Sequence, residues 1–196
     1  MKIINKWTEE LIPRLGGKTA IVTGANSGLG FEISKVLAQH GARVVMACRD
    51  SIKADAAAQE LGKTNPAGEA SVRHLDLASL ASVGRFSSDF LEDETGLHIL
   101  INNAGLIAIN ENRTADGFEM QFGVNYLAHF ALTSALMPLL LSTPQSRVVS
   151  ISSNAHKFGK MDFDDLMYEK RRYSRWGHTG RANSRSCSSS LNSTGV

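Results

Sequence analysis

An α/β fold, a parallel sheet covered by helices on both faces, is what this sequence predicts. Three observations carry that prediction. Apolar runs of strand length alternate with longer amphipathic segments along most of the chain. A glycine-rich turn joins the first such run directly to the first amphipathic segment. The 196 residues, 42% hydrophobic and 20% charged, have the size and balance of one globular domain with a full core.

Strands are predicted at Thr19–Thr23, Arg43–Ala47, Ser71–Leu75, His98–Asn102 and Arg147–Ile151. These are short apolar runs bounded by polar or glycine-bearing stretches, as buried parallel strands require. Helices are predicted between them at Gly28–His40, Ile52–Leu61, Leu80–Leu91 and Gly117–Leu141. There is no internal repeat. The pattern stops near Gly177, where GHTGRANSRSCSSSLNSTGV begins. Six of the last thirteen residues are serine, so nothing there carries an apolar face toward a sheet. The chain therefore divides into a folded domain, 1–176, cut short after the fifth strand, and a disordered tail, 177–196.

Composition narrows the partners. A net charge of +2 supports neither nucleic-acid nor membrane-surface binding. The histidines are scattered without metal-ligand spacing, and no metal is expected. Cys48 and Cys187 are far apart and make no disulfide framework, which points to a reducing cytoplasm. The N-terminal MKIINKWTEEL carries acidic residues and no apolar core, so it does not read as a signal peptide. The longest apolar stretch, Phe130–Leu141, is interrupted by Thr133, Ser134 and Pro138 and is too short to span a bilayer. Oligomeric state is left open.

The turn is TGANSGLG, Thr23 to Gly30. Glycines at 24, 28 and 30 permit a tight bend and let backbone N–H groups approach a pyrophosphate. The helix that follows adds unpaired donors and the positive end of its dipole. Three residues separate the first two glycines, which is not the GxGxxG spacing.

Four further motifs follow in order: HLDLAS with Asp76, NNAG at Asn102–Gly105, FGVNYLAHF with Asn125, and RVVSISS ending in Ser153. With TGxxxGxG after a first strand, they resemble the short-chain dehydrogenase/reductase family over most of the chain. NNAGLI, the long gap after Ser153 and FDDL at 163–166 resemble its retinol-dehydrogenase-like and WW-domain-oxidoreductase-like branch. The resemblance implies a Rossmann-type doubly wound sheet, a nicotinamide cofactor, and hydride transfer between an alcohol and a carbonyl on a small to medium apolar substrate. It implies cofactor contacts from Gly24, Asn26, Ser27, Gly28, Leu29 and Gly30. It adds Asp76 and Leu77 at the adenine, and Asn103, Ala104 and Gly105 at the fourth strand end. By the same resemblance Asn125 kinks its helix and orders a water, and Ser153 hydrogen-bonds the substrate carbonyl.

Plainer readings stand beside these. Asp76 also suits the cap of the next helix. Asn102 and Asn103 also suit a strand end. Asn125 also suits a buried amide satisfied by backbone. Ser153 also reads as a polar strand end. Cys48 stands where NAD-preferring relatives carry an acid, and Arg49 follows it. An acid at this strand end grips a ribose 2′-hydroxyl, whereas an arginine accommodates a 2′-phosphate. NADP(H) is therefore the expected cofactor in preference to NAD(H), although Asp50 lies one residue further on.

One part of the chemistry is missing. In the family a tyrosine gives the proton to the carbonyl oxygen, and a lysine four residues on lowers a pKa that is otherwise ~10. The positions expected for this pair hold Thr179 and Asn183. A frameshift accounts for that. If Gly177–Asn183 are encoded GGG CAT ACG GGC AGA GCA AAC, the preceding frame reads alanine, tyrosine, glycine, glutamine, serine, lysine, which is the family motif. TCN serine codons read in that frame give leucine, isoleucine, valine or phenylalanine, so an apolar helix becomes a serine-rich tail. The substitute pair is Tyr168 with Arg172, but Tyr168 lies in the segment that precedes the motif, and arginine replaces lysine poorly. The chain as written is expected to be catalytically impaired.

Overall fold

A computed structural model describes residues 8–107, 109–154, 157, 163–167, 169 and 170. The tail read at 177–196 lies outside them, as do Tyr168, Thr179, Asn183 and Cys187.

Five strands form one parallel sheet: β1 (Thr19–Thr23), β2 (Arg43–Cys48), β3 (Glu69–His74), β4 (Ile99–Asn102) and β5 (Arg147–Ser150). Their order is β3-β2-β1-β4-β5. The connections are α1 (Gly28–Gln39), α2 (Ser51–Lys63), α3 (Leu80–Asp93) and a 23-residue helical run, α4 (Met120–Ser142). Single 3₁₀ turns lie at Glu9–Leu11 and Phe163–Asp165. The predicted fold class is therefore the observed one.

Side chains alternate between two cores across the sheet. Ile21, Val45 and Leu100 face α3 and α4, meeting Phe86, Phe90, Leu132 and Leu136. Val22, Val44, Met46 and Ile101 face α1 and α2, meeting Ala38, Ala54 and Leu61. Register keeps this in phase, with Ile21 opposite both Val45 and Leu100. This is the period of two that a parallel sheet covered on both faces imposes. All five residues of β1 are buried. β5 differs, with Val148 and Val149 exposed by 41% and 42%.

The long helix corrects one expectation. α4 begins well before Phe130, holds an 18-residue stretch with a mean hydropathy of 1.4, and is by length and composition apolar enough to cross a membrane. The fold puts Ala128, Leu132, Leu136 and Leu140 into the core beside α3. Its outer side is left with Phe130 and Leu141 exposed. The apolar stretch looked short because His129 precedes it and Thr133, Ser134 and Pro138 interrupt it in sequence, whereas the helix runs on through all of them.

Candidate functional site

The chain runs outward from β1 to β2 and β3, then returns through α3 to β4 on the other side of β1. At that reversal the segments leaving β1 and β4 part to opposite faces and leave a crevice at their C-terminal ends. A cleft of about 380 Å³ lies there. It is lined by the turn after β1, the ends of β2 and β3, the turn after β4, and Val124 of α4. Of the predicted contacts, Gly24, Asn26, Ser27, Leu29, Gly30, Arg49, Asp76, Leu77, Asn103, Ala104 and Gly105 line this cleft.

The glycines have different jobs. Gly24 has φ +65, and a Cβ there would meet Ala104 at 3.0 Å. At Gly30 a Cβ would stand 2.4 Å from the Gly24 carbonyl oxygen and 2.5 Å from Asn103 Nδ2. These two positions let the β1 and β4 turns touch. Gly28, with φ +54, has nothing within 4 Å of the same point, so the approach to the first turn of α1 is open. Asp50 and Ser79 cap α2 and α3 by accepting backbone N–H bonds, but no side chain caps α1 at Ser27. An open glycine ridge beside an uncapped helix start fits an anionic pyrophosphate, which would take up those donors.

At the end of β2, Cys48 is buried and Arg49 exposed. Burial pushes the Cys48 thiol up, against backbone hydrogen bonds from Ala25 and Asn26. It stays neutral, so no acid occupies this strand end. Asp50 also lines the cleft, but its carboxylate is taken up by its own helix, accepting from Lys53 N at 3.1 Å and pairing with Lys53 Nζ at 3.1 Å. The Lys53 backbone bond, then its side chain, lower the Asp50 pKa, so the carboxylate is ionised and engaged. Lys53 itself lines the cleft. Sequence reasoning missed it, although an acid followed three residues later by lysine at a helix start was visible.

Asp76 lines the cleft and also accepts from Ala78 N at 2.9 Å, the turn role that its sequence position allowed. After β4, the Thr23 hydroxyl accepts from Asn103 N at 2.9 Å and Ala104 N at 3.0 Å, while Asn103 Nδ2 donates to the Thr23 carbonyl at 2.9 Å. Thr23 Oγ1 also lies 2.9 Å from Nε2 of the buried His129, whose Nδ1 is 3.2 Å from the Asn125 carbonyl oxygen. Burial drives His129 down to about 4, opposed by its bond to Asn125. Sequence reasoning passed over His129, a lone histidine in an apolar helix.

Asn125 sits in a π-helical turn, Gly123–Leu127. Its Oδ1 accepts from Leu106 N at 2.8 Å, and its Nδ2 donates to the Leu106 carbonyl at 2.9 Å. The amide thus ties the helix to the loop beyond β4. Ser153 is half-buried, three residues past the end of β5, and is not among the cleft-lining residues. Asn102 lies buried beneath the cleft and donates to Thr133 Oγ1 at 3.0 Å. No cluster of metal-binding side chains occurs among the described residues.

Residues 18–163 match the family model described as short chain dehydrogenase. Retinol dehydrogenase 11 of Mus musculus is 49% identical over 157 residues, covering 80% of this chain and 50% of that protein. The crystal structure of an uncharacterized protein from Mycobacterium Paratuberculosis matches with a TM-score of 0.80 at 44% identity, covering 90% of this chain and 61% of that one. The NADP active-site complex of Pseudomonas aeruginosa RhlG matches with a TM-score of 0.66 at 27% identity, covering 87% of this chain and 62% of that one. The chain spans about half the length of curated relatives it matches, such as this mouse protein and retinol dehydrogenase 13 of Homo sapiens.

Proposed function

From the premise that this chain belongs to the short-chain dehydrogenase family, we propose that it is the nucleotide-binding part of an NADP-dependent oxidoreductase and is catalytically impaired as written. The observation that carries the reading is the switch-point cleft, with its open glycine ridge, an uncapped α1, and Arg49 without an acid at Cys48. When bound, the nicotinamide cofactor supplies or accepts a hydride at a carbon of the substrate.

The chain's own residues divide the remaining work. The first N–H groups of α1 would hold the pyrophosphate, and Arg49 would pair with the 2′-phosphate of the adenosine ribose. Asp76 and Leu77 would border the adenine, and Ala104 and Gly105 would leave room for the nicotinamide. Asn125 holds the π-turn against Leu106. Ser153 is assigned the substrate oxygen by analogy with the family. The proton that this oxygen needs has no donor at position 179 and no lysine at 183 to tune one. The substrate class is an apolar alcohol or carbonyl compound, and the name of the mouse relative favours a retinoid. The location we propose, a reducing cytoplasm, rests on the two widely separated cysteines of the sequence.

Titration of the 196-residue chain with NADPH and NADH tests the cofactor assignment. NADPH binds at least tenfold more tightly, and Arg49→Ala removes most of that preference, because a charge-assisted phosphate contact contributes ~1.5–3 kcal/mol. Equal affinities in the parent chain overturn the assignment.

A further inference from the structure

Among the described residues, His129 is a buried titratable group beside the turn after β1 to which the proposed function gives no work. A backbone carbonyl can only accept, so the contact with Asn125 O places the imidazole proton on Nδ1 and leaves Nε2 as an acceptor. The Thr23 hydroxyl then donates to Nε2 and keeps its two lone pairs for the amides of Asn103 and Ala104. Both lone pairs are thereby used, and the hydroxyl's one proton has His129 Nε2 at 2.9 Å as its nearer acceptor, with the Ile101 carbonyl at 3.4 Å. Two ties hold α4 to the floor of the cleft. Asn125 reaches the loop beyond β4, and His129 reaches the end of β1.

We infer that His129 is a positioning residue of the cofactor site. Its ring spans Asn125 O and Thr23 Oγ1 and so fixes the π-turn against the joined ends of β1 and β4, where the nicotinamide half would lie. The inference rests on reading the cleft as a cofactor site, while the clamp itself is a property of the free chain.

The test therefore has a ligand-free arm and a cofactor arm, both on the full chain. In the first, nitrogen NMR of labelled histidine at neutral pH shows a neutral His129 ring protonated at Nδ1. A ring protonated at Nε2 overturns the inference. In the same arm, His129→Phe keeps the ring volume but loses both bonds, and hydrogen exchange at the Asn103 and Ala104 amides speeds up at least tenfold. In the second arm, the NADP⁺ Kd of that variant rises at least tenfold, and His129→Asn, which restores a donor toward Asn125 O, recovers part of the loss. Thr23→Val, which removes the acceptor of both amides itself, gives at least the same losses, and His129→Phe adds little on top of it. If His129→Phe does not fold, the exchange rates of His129→Asn, whose shorter side chain loses the bond to Thr23, give the reading. Unchanged exchange and affinity in the His129 variant overturn the inference. If the parent chain binds neither NADP(H) nor NAD(H), the proposed function fails, and the exchange arm alone decides the role of His129.

Discussion

The two sides of β1 are built to different standards. Toward β2, every strand residue from Val44 to Cys48 is buried, the glycine turn is locked against its neighbours, and the cleft is lined by residues that mostly follow their strands directly. Both outermost strands are exposed, β3 without a buried residue and β5 with two exposed valines, but on the β5 side Ser153 also stands outside the cleft lining. Nucleotide binding on this fold comes from short strand–turn–helix units that lie close in sequence. Proton transfer needs groups brought from further along the chain. Under the proposed function, one side can therefore bind nucleotide in a chain whose other side is impaired.

Turnover gives the sharpest test of that contrast. The chain as written is expected to reduce an apolar aldehyde no faster than background, even with saturating NADPH, since losing the proton donor costs ~100- to 10,000-fold. Returning the coding frame by one base at Gly177 should restore the tyrosine and lysine and with them the activity. Robust activity in the unrepaired chain that disappears in Tyr168→Phe reverses this reading. A coding sequence that lacks the motif in the preceding frame removes the frameshift explanation.

Acid probes the seam between the two sides. An unfolded His129 takes its proton near 6.5, whereas the buried ring takes it near 4. Between those values the unfolded state holds more protons, so stability present above pH 6.5 is lost as the pH falls toward 4. At about 1.4 kcal/mol per unit the full loss is about 3 kcal/mol. Urea midpoints measured from pH 7 to 4.5 should fall more steeply for the parent than for His129→Phe. Parallel curves would show that this ring does not carry the linkage.

A pair of glycines gives the smallest expected effect and separates fold from site. A Cβ on Gly30 meets the Gly24 carbonyl inside the cleft, and one on Gly68 meets the Ala42 carbonyl at 2.1 Å, outside the cleft lining. Each alanine substitution should cost ~1–3 kcal/mol in a thermal melt, as overpacking does. Gly30→Ala alone should also weaken NADPH binding, by tenfold or more. An equal loss of affinity in Gly68→Ala would mean that the cleft senses general stability rather than its own turn.

Much of this was legible in the sequence because it is local. TGANSGLG between an apolar run and an amphipathic one states both the turn and what it faces. Boundaries drifted where a distant or capping contact decides them. α2 begins at Ser51 rather than Ile52 because Asp50 caps it. β3 begins at Glu69 because Glu69 pairs with Arg43 across the sheet. α4 begins at Met120 rather than Gly117 because Gly117 has φ +83 and Glu119 accepts from Gln121 N and Phe122 N. His129 was invisible for a deeper reason, since its partner Thr23 is 106 residues away, and only the fold brings a hydroxyl to that ring. Lys53 was readable as half of a surface ion pair, but its place beside Arg49 follows from the way α2 leaves β2.

The switch point also sets a timetable. A ribosome makes Gly24 first among the cleft-lining residues and Val124 last. Every group that would touch the nucleotide has thus been synthesised before Ser153 exists. A ligand at a hundred times its Kd adds ~2.7 kcal/mol to whatever state binds it. Under the proposed function, the contacts that would give that stabilisation are encoded ahead of Ser153, so they do not depend on what the later codons hold.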